Sequence, residues 1–206
     1  GTSFEAISLQ LKGKIYALQN EPQKALQEHE KLIEFTKQLQ HDSVGIGITN
    51  LELGRDYLAL GQYEKSQSYF EAASQLFTRV NEPVFLQEVQ LGMGDAWQAT
   101  KQYDKAIASH QEALLLSRQY PVGLPYEAPY HEQLMKDWKL QGNIPLAIFY
   151  GKQAVNSNQE IRFNLQNLEK GLQQSFLKSK EQTYRELADL LISQGRLPEA
   201  EQVIRM

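Results

Sequence analysis

The chain has no cysteine among its 206 residues. Disulfide bonds, thiolate nucleophiles and cysteine ligands to a metal are therefore excluded within it. It also lacks the ~18 to 20 consecutive apolar residues that a membrane-spanning helix requires, and its first ten residues, GTSFEAISLQ, lack the basic and apolar segments of a signal peptide. From these absences we expect a soluble cytoplasmic protein that does not associate with membranes.

The sequence also lacks a large excess of positive or negative charge. The formal net charge is −4 at pH 7, so we do not expect a large basic surface that neutralises phosphates. Recognition of RNA by helical repeats would need a basic residue at repeat spacing, and Asp95 and Asp189 interrupt that pattern. Nucleic acid is therefore not expected as a partner. With 41% hydrophobic residues, the chain can still bury a core.

What the sequence does have is an internal repeat of 40 to 41 residues. Five units share an opening residue that is mostly small, an aromatic or large apolar residue three positions later, a turn residue four further on, and a small residue five beyond the turn. The opening residues are Gly13, Gly54, Gly94, Met135 and Ala188, followed by Tyr16, Tyr57, Trp97, Trp138 and Leu191. The turn residues are Asn20, Gly61, Lys101, Gly142 and Gly195, and the small residues after them are Ala25, Ser66, Ala106, Ala147 and Ala200.

Apolar residues recur at three-and-four spacing on both sides of each turn, as in ITNLELGRDYLAL and YEKSQSYFEAASQLF. This spacing predicts two helices, and a connection of about three residues forces them to lie antiparallel. We therefore predict an all-α fold of about five helical hairpins, stacked as one array into a right-handed superhelix. The predicted units are about 5–43, 44–83, 84–124, 125–170 and 171–206.

The glycines at the opening positions indicate close contact between helices. Glycine costs a helix interior about 1 kcal/mol relative to alanine, so its recurrence there favours a packing role. We expect Gly54 to face Ser66 or Ala73, with Tyr57 or Trp97 filling the adjoining gap.

The turn residues predict how the first helices end. Gly61, Gly142 and Gly195 are expected in the left-handed conformation, with Asn20 as a tolerated substitute. Lys101 does not fit this rule, which predicts a less regular turn. Between units, the expected helix-starting residues are Asp42 or Ser43, Asn81, Pro83 and Pro125, and three prolines predict the longest loop at residues 121–129.

This pattern resembles the tetratricopeptide repeat (TPR), and the likeness covers essentially the whole chain. Its signature is carried by Gly54, Tyr57, Gly61, Tyr63, Phe70 and Ala73, and again by Gly94, Trp97, Tyr103, Ala106 and Ala113. The common TPR period is shorter, at about 34 residues, so the present units are similar to a longer variety. The resemblance implies a non-catalytic scaffold for protein–protein interaction, without a cofactor, that binds a peptide or protein segment on its concave face.

A second resemblance concerns the C-terminal part of the chain. It is carried by Ile161, Arg162, Tyr184, Arg185, Leu187, Ala188, Asp189, Leu191, Gly195, Arg196, Glu199 and Ala200. These residues are similar to the last helical repeat before a CHAT peptidase domain in large bacterial proteins. That peptidase uses a His and Cys pair, and this chain has no cysteine. The alternative function is therefore a regulatory arm of a peptidase that would lie downstream, which fits an array cut off inside its last hairpin at Met206.

The TPR resemblance places the binding groove on the first helices. Groove positions implied by it are Lys14, Arg55, Leu58, Asp95, Gln98, Lys136, Lys139 and Asp189. Leu11, Glu52 and Gly92 stand where a clamp for a peptide carboxylate would need polar donors, so we do not expect such a clamp. Solvated lysines and arginines without a binding role remain an equal alternative.

Catalytic signals are absent from the sequence. His29 and His110 occupy the inward position of second helices, which predicts packing roles. His131 begins HEQLM, which lacks the second histidine of a zinc peptidase helix, and His41 is expected in a loop. We therefore predict neither enzymatic activity nor a metal site.

The fourth step between units, from Met135 to Ala188, is clearly longer than the other three. A stripe of Ile161, Leu165, Leu168, Leu172 and Phe176 lies within it at helical spacing. The helices on either side of Gly171 are therefore expected to be lengthened. Either they project and dock a partner, or the stripe packs between the two helices.

Overall fold

The computed structural model describes residues 2–38, 43–121, 127–165 and 170–205, and each regular element within these ranges is an α-helix. The helices are α1 (Thr2–Leu18), α2 (Pro22–Gln38), α3 (Ser43–Ala59), α4 (Tyr63–Val80), α5 (Pro83–Ala99), α6 (Tyr103–Gln119), α7 (Ala128–Gln141), α8 (Ile144–Asn164), α9 (Lys170–Ser193) and α10 (Leu197–Ile204). The predicted all-α fold of helical hairpins is confirmed.

The hairpins are α1 with α2, α3 with α4, α5 with α6, α7 with α8, and α9 with α10. The chain forms two compact units, Gly1–Tyr120 and Pro121–Met206. Within the first unit, α2 packs on α3 and α4 packs on α5, and within the second, α8 packs on α9. Each unit thus stacks hairpins side by side, while the single array over all five hairpins stays a prediction.

All five turns inside the hairpins have the same backbone geometry. The turn residue has φ of 59° at Asn20, 71° at Gly61, 60° at Lys101, 89° at Gly142 and 69° at Gly195. At Lys101 the amide donates to the Gln98 carbonyl at 2.9 Å, and the next amide donates to the Trp97 carbonyl at 2.9 Å. The other four turns make the same two hydrogen bonds. The predicted irregularity at Lys101 is therefore wrong.

Lys101 holds a conformation that costs a residue with a Cβ about 1 kcal/mol or more. Lys101→Gly is therefore expected to raise the free energy of unfolding of the first unit by about 1 kcal/mol. Thermal and urea melts would measure the gain. Asn20→Gly is the matched control, and its gain should be smaller because asparagine tolerates this conformation. Equal or lower stability of Lys101→Gly would contradict the strain.

The opening glycines admit a ring from the second helix of the same hairpin. A Cβ on Gly54 would lie 2.6 Å from ring atoms of Phe70, and a Cβ on Gly94 would lie 2.3 Å from the His110 ring. The predicted partners were wrong in part, because the large ring fills the space while Ser66 only donates a 2.8 Å hydrogen bond to the Gly54 carbonyl. Gly13 meets the His29 ring in the same way. In all three pairs the ring follows the glycine at the same sequence separation.

The fourth hairpin reverses this arrangement. Its opening residue is Met135, and at that same separation stands Gly151, whose Cβ would lie 2.7 Å from the Met135 sulfur. Met135 is fully buried among residues of α8 and α9, including Leu187. This hairpin therefore also pairs one large side chain with one glycine. Here the first helix carries the large side chain and the second helix carries the glycine.

Phe70 lies between two hairpins of the first unit. Its ring faces Gly54 on α3, and it also faces Gly92 on α5, where a Cβ would lie only 2.4 Å away. The side chain is fully buried and belongs to a cluster that includes Phe77 and Val89. Because α3 and α5 both approach through a glycine, one phenylalanine joins three helices.

The aromatic signature residues of the first unit lie under lysines. Lys105 Nζ is 4.2 Å from the centroid of the Trp97 ring, and Lys65 Nζ is 5.0 Å from that of Tyr57. In both pairs the lysine lies across the turn, on the second helix. Trp97 is half-buried and packs against the core cluster that contains Phe70, and Tyr57 is buried. Each ring thus has one face toward the protein and holds a cation on its outer face.

Helix ends between units differ from the prediction at two places. Asn81 was expected to start α5, but it ends α4 in the left-handed conformation with φ of 56°. Pro83 begins α5, as expected, and Ser43 is the first residue of α3. The loop predicted at residues 121–129 does not extend that far, because α7 begins at Ala128 and Pro129 lies in its first turn. The expectations for Asp42 and Pro125 concern residues outside the described ranges.

The helices of the long fourth step are lengthened, as predicted. α8 has 21 residues and α9 has 24, against 17 for α5 and α6. Gly171 does not separate them, because it lies in the first turn of α9. Ile161, Leu165 and Phe176 are half-buried, whereas Leu168 and the Leu172 side chain lie outside what the structure describes. Projection from the array stays a prediction.

Candidate functional site

The first helices of the first unit carry a row of ion pairs. Lys14 Nζ on α1 lies 3.4 Å from Glu52 Oε1 on α3. Arg55, one turn after Glu52, contacts the same carboxylate at 3.4 Å and donates from Nη2 to Glu88 Oε2 on α5 at 2.7 Å. Helices α3 and α5 are in direct contact. The four side chains therefore alternate in charge across three neighbouring first helices, and we call them the ion-pair row.

Burial and charge both act on the ion-pair row. Burial tends to lower the pKa of Arg55, but the carboxylates of Glu52 and Glu88 outweigh burial and raise it. The Glu52 side chain is only 9% exposed, so it depends on these cations for compensation. Two of the predicted groove residues, Lys14 and Arg55, are thus brought together, and both are already engaged within the protein.

Arg55→Glu is expected to destabilise the first unit by about 1–2 kcal/mol, because it would place three carboxylates side by side. Urea melts at 0.05 and 0.5 M NaCl would measure the effect, which should shrink at the higher salt concentration. Lys12→Glu, at an exposed lysine of α1, is the control. A melt of Arg55→Glu equal to that of the control would contradict the ion-pair row.

The other predicted groove residues of the first unit lie near the turns. Leu58 packs against the core cluster around Phe70, and Gln98 is half-buried on α5. Asp95 Oδ1 lies 3.4 Å from Nε2 of the buried His110. Within the second unit, Lys136 is half-buried on α7, while Lys139 on α7 and Asp189 on α9 are exposed.

A buried polar pair joins the first two hairpins, and sequence reasoning missed it. His29 Nδ1 donates to Asp56 Oδ2 at 2.6 Å, and both residues are buried. Burial raises the pKa of Asp56, opposed by the hydrogen bond from His29. The His29 ring also covers Gly13, which confirms its predicted packing role. An aspartate on the apolar side of a helix, opposite an inward histidine, was the available signal.

The second unit has a polar interior of its own. Glu132 Oε1 on α7 accepts a hydrogen bond from Thr183 Oγ1 on α9 at 2.9 Å and one from Asn158 Nδ2 on α8 at 3.3 Å. Lys180 Nζ lies 3.5 Å from the same oxygen. Asn158 is fully buried. This carboxylate therefore ties three helices together.

Metal-binding clusters and membrane-spanning helices do not occur among the described residues. Nowhere in ranges 2–38, 43–121, 127–165 and 170–205 do three or more His, Cys, Asp or Glu side chains come together so that they could hold a metal ion. His131 is buried, with Nε2 3.6 Å from Glu127 Oε2, and His41 lies outside the described residues. None of the helices described above combines the length and hydropathy needed to cross a membrane.

Comparison with known proteins supports the repeat type. Residues 49–77 match the tetratricopeptide repeat, and this segment holds most of α3 and α4. No curated protein matches the chain.

Solved structures share the fold at low sequence identity. Nearly identical TPR-like repeats of a Podosopora anserina protein described as a kinesin light chain superpose with a TM-score of 0.71 and 17% identity, over 96% of this chain and 90% of that one. BtubC (BKLC) from P. vanneervenii gives 0.77 and 14%, over 96% and 76%. The apo form of RapI gives 0.67 and 15%, over 98% and 81%. These likenesses and the matched repeat support a protein built from TPR-like helical hairpins.

Proposed function

We propose that this protein is a non-catalytic scaffold that binds a segment of another protein along its first helices. The ion-pair row carries this proposal. It holds α1, α3 and α5 side by side, so the surface they form is organised before a partner arrives, which lowers the entropic cost of binding. TPR-like repeats in the compared structures are consistent with a role in protein interaction.

The chemistry of this surface suits a partner segment of mixed charge. Lys14 and Glu88 keep about half of their side chains exposed, at 48% and 45%, and they stand at opposite ends of the row. Leu58 and Gln98 would contribute apolar and hydrogen-bonding contacts near the turns. In the second unit, Lys136, Lys139 and Asp189 are the corresponding candidates.

Site-specific photo-crosslinking tests which surface binds. A photo-reactive phenylalanine analogue at Gln98 or Lys139, on first helices, is expected to capture one defined partner from a lysate of the source cell. Gln111 and Glu112, exposed on second helix α6, are the control positions. Capture at the control positions alone would overturn the proposed binding surface. Identification by mass spectrometry then names the partner.

A second candidate function is the regulatory arm of a CHAT-type peptidase in the bacterial cytoplasm. This candidate is supported by the resemblance of residues 161–206. In it, the repeats would regulate a peptidase domain of the same polypeptide. Reading the gene beyond the Met206 codon tests it. A continuing frame that encodes a His and Cys bearing domain would support the arm, and a stop codon at that point would refute it.

A further inference from the structure

The outer face of α1 carries five large apolar side chains that are exposed. The exposed fractions are 79% at Phe4, 53% at Ile7, 55% at Leu11, 51% at Ile15 and 88% at Leu18. Spacings of three and four residues place them on one side of the helix, opposite Gly13, which faces α2. We call these five residues the α1 stripe. A contiguous apolar surface of this size marks an interaction site.

The repeat identifies what kind of element covers such a face. Phe4, Leu11 and Ile15 correspond to Phe85, Gly92 and Ala96 on α5 when the opening glycines are aligned. On α5 these positions receive the preceding helix, since Phe85 stacks on Phe77 of α4 at 4.8 Å and Gly92 faces Phe70. On α3, the equivalent of Ile15 is Asp56, which bonds to His29 of α2. Phe4, Leu11 and Ile15 therefore lie on the side of α1 that corresponds to the receiving side of α5. The α5 equivalents of Ile7 and Leu18 are the ion-paired Glu88 and the exposed Ala99.

The side chains of the α1 stripe differ from those of α3 and α5. The position that takes a ring on α5 is Gly92, whereas α1 has Leu11 there. The last position is Ala59 on α3 and Ala99 on α5, but Leu18 on α1. A helix that inserts a ring, as α4 inserts Phe70, would collide with Leu11. The occupant must instead meet a row of large aliphatic side chains.

The spacing of the α1 stripe is symmetric about Leu11, with steps of three, four, four and three residues. Two copies of α1 placed antiparallel would set Leu11 against Leu11, Ile7 against Ile15 and Phe4 against Leu18. We propose that the α1 stripe is the interface of a two-fold symmetric dimer of this chain. The apolar area would be on the order of 500 Å² per copy, or about 1,000 Å² in total, which is the minimum for a biological interface and typical of a weak dimer.

The absence of cysteine allows a geometric test. Leu11→Cys introduces a single thiol on the two-fold axis, where facing Cα atoms fall within the distance a disulfide needs. The full chain with Leu11→Cys is expected to oxidise to a covalent dimer. Ile7→Cys is the control, because its two copies would be ~12 Å apart along the helix axis. Mixing Ile7→Cys with Ile15→Cys should restore cross-linking.

Light scattering on the eluting protein tests association without a cross-link. The 23.6 kDa chain should elute as a dimer, and Leu11→Arg should raise the dissociation constant at least tenfold. Leu197→Arg, at a side chain 61% exposed on α10, should leave it unchanged, and circular dichroism would verify that both variants fold. A monomer at 100 μM, a dimer indifferent to Leu11→Arg, or equal oxidation of Leu11→Cys and Ile7→Cys would overturn the proposal.

Discussion

Phe70→Ala is expected to lower the free energy of unfolding of the first unit by ~3–5 kcal/mol. The ring is fully buried and fills the space left by Gly54 and Gly92 on two different helices. Neither glycine has a side chain that could move into the cavity, so the site cannot collapse easily. Urea unfolding followed by circular dichroism would measure the loss, with Phe149→Ala, at a side chain 52% exposed, as the control.

A stricter test of the same contact exchanges the large and the absent side chain between the two helices. Gly54→Met and Phe70→Gly together would copy the arrangement of Met135 and Gly151. Each single change is expected to destabilise strongly, the first by overpacking and the second by leaving a cavity. The double variant should be more stable than the sum of both losses predicts, by about 1–3 kcal/mol. Additive losses would show that the two positions do not share one space.

The repeat made the hairpins predictable because glycine, aromatic and turn positions recur in register. The partners of the glycines were not predictable from one unit. Small residues such as Ser66 and Ala73 were obvious candidates for a close contact, yet the ring of Phe70 occupies it. Comparing the units shows the rule, since His29, Phe70 and His110 all follow an opening glycine at one fixed sequence separation.

The prediction for the turn at Lys101 was wrong, and the ion-pair row was not predicted, for a different reason. Residue preference predicted an irregular turn at Lys101, but the hydrogen bonds from the turn to the Trp97 and Gln98 carbonyls impose the shared geometry. The charges of Lys14 and Arg55 looked isolated because their partner, Glu52, had been considered only as a failed clamp residue. Ion pairs between helices depend on how the hairpins stack. The sequence period alone does not give the distances between side chains on neighbouring helices.

Asp56→Ala is expected to cost about 3 kcal/mol, because it leaves the buried Nδ1–H group of His29 without its acceptor and opens a cavity between the first two hairpins. Asp56→Asn should cost far less, since the amide oxygen can still accept the 2.6 Å hydrogen bond. Chemical unfolding at pH 7.5 would compare the two variants. Equal losses would mean that the hydrogen bond contributes nothing and that only packing matters.

The same pair predicts a dependence on pH. Burial raises the pKa of Asp56 above its ordinary value of 3.8, so the folded protein holds this proton more tightly than the unfolded chain. The stability contributed by Asp56 is then full below the ordinary pKa and is lost as pH rises through the folded value. The stability of the unmodified chain relative to Asp56→Asn should therefore increase as pH falls from 7.5 to 4. A difference that moves the other way would contradict the raised pKa.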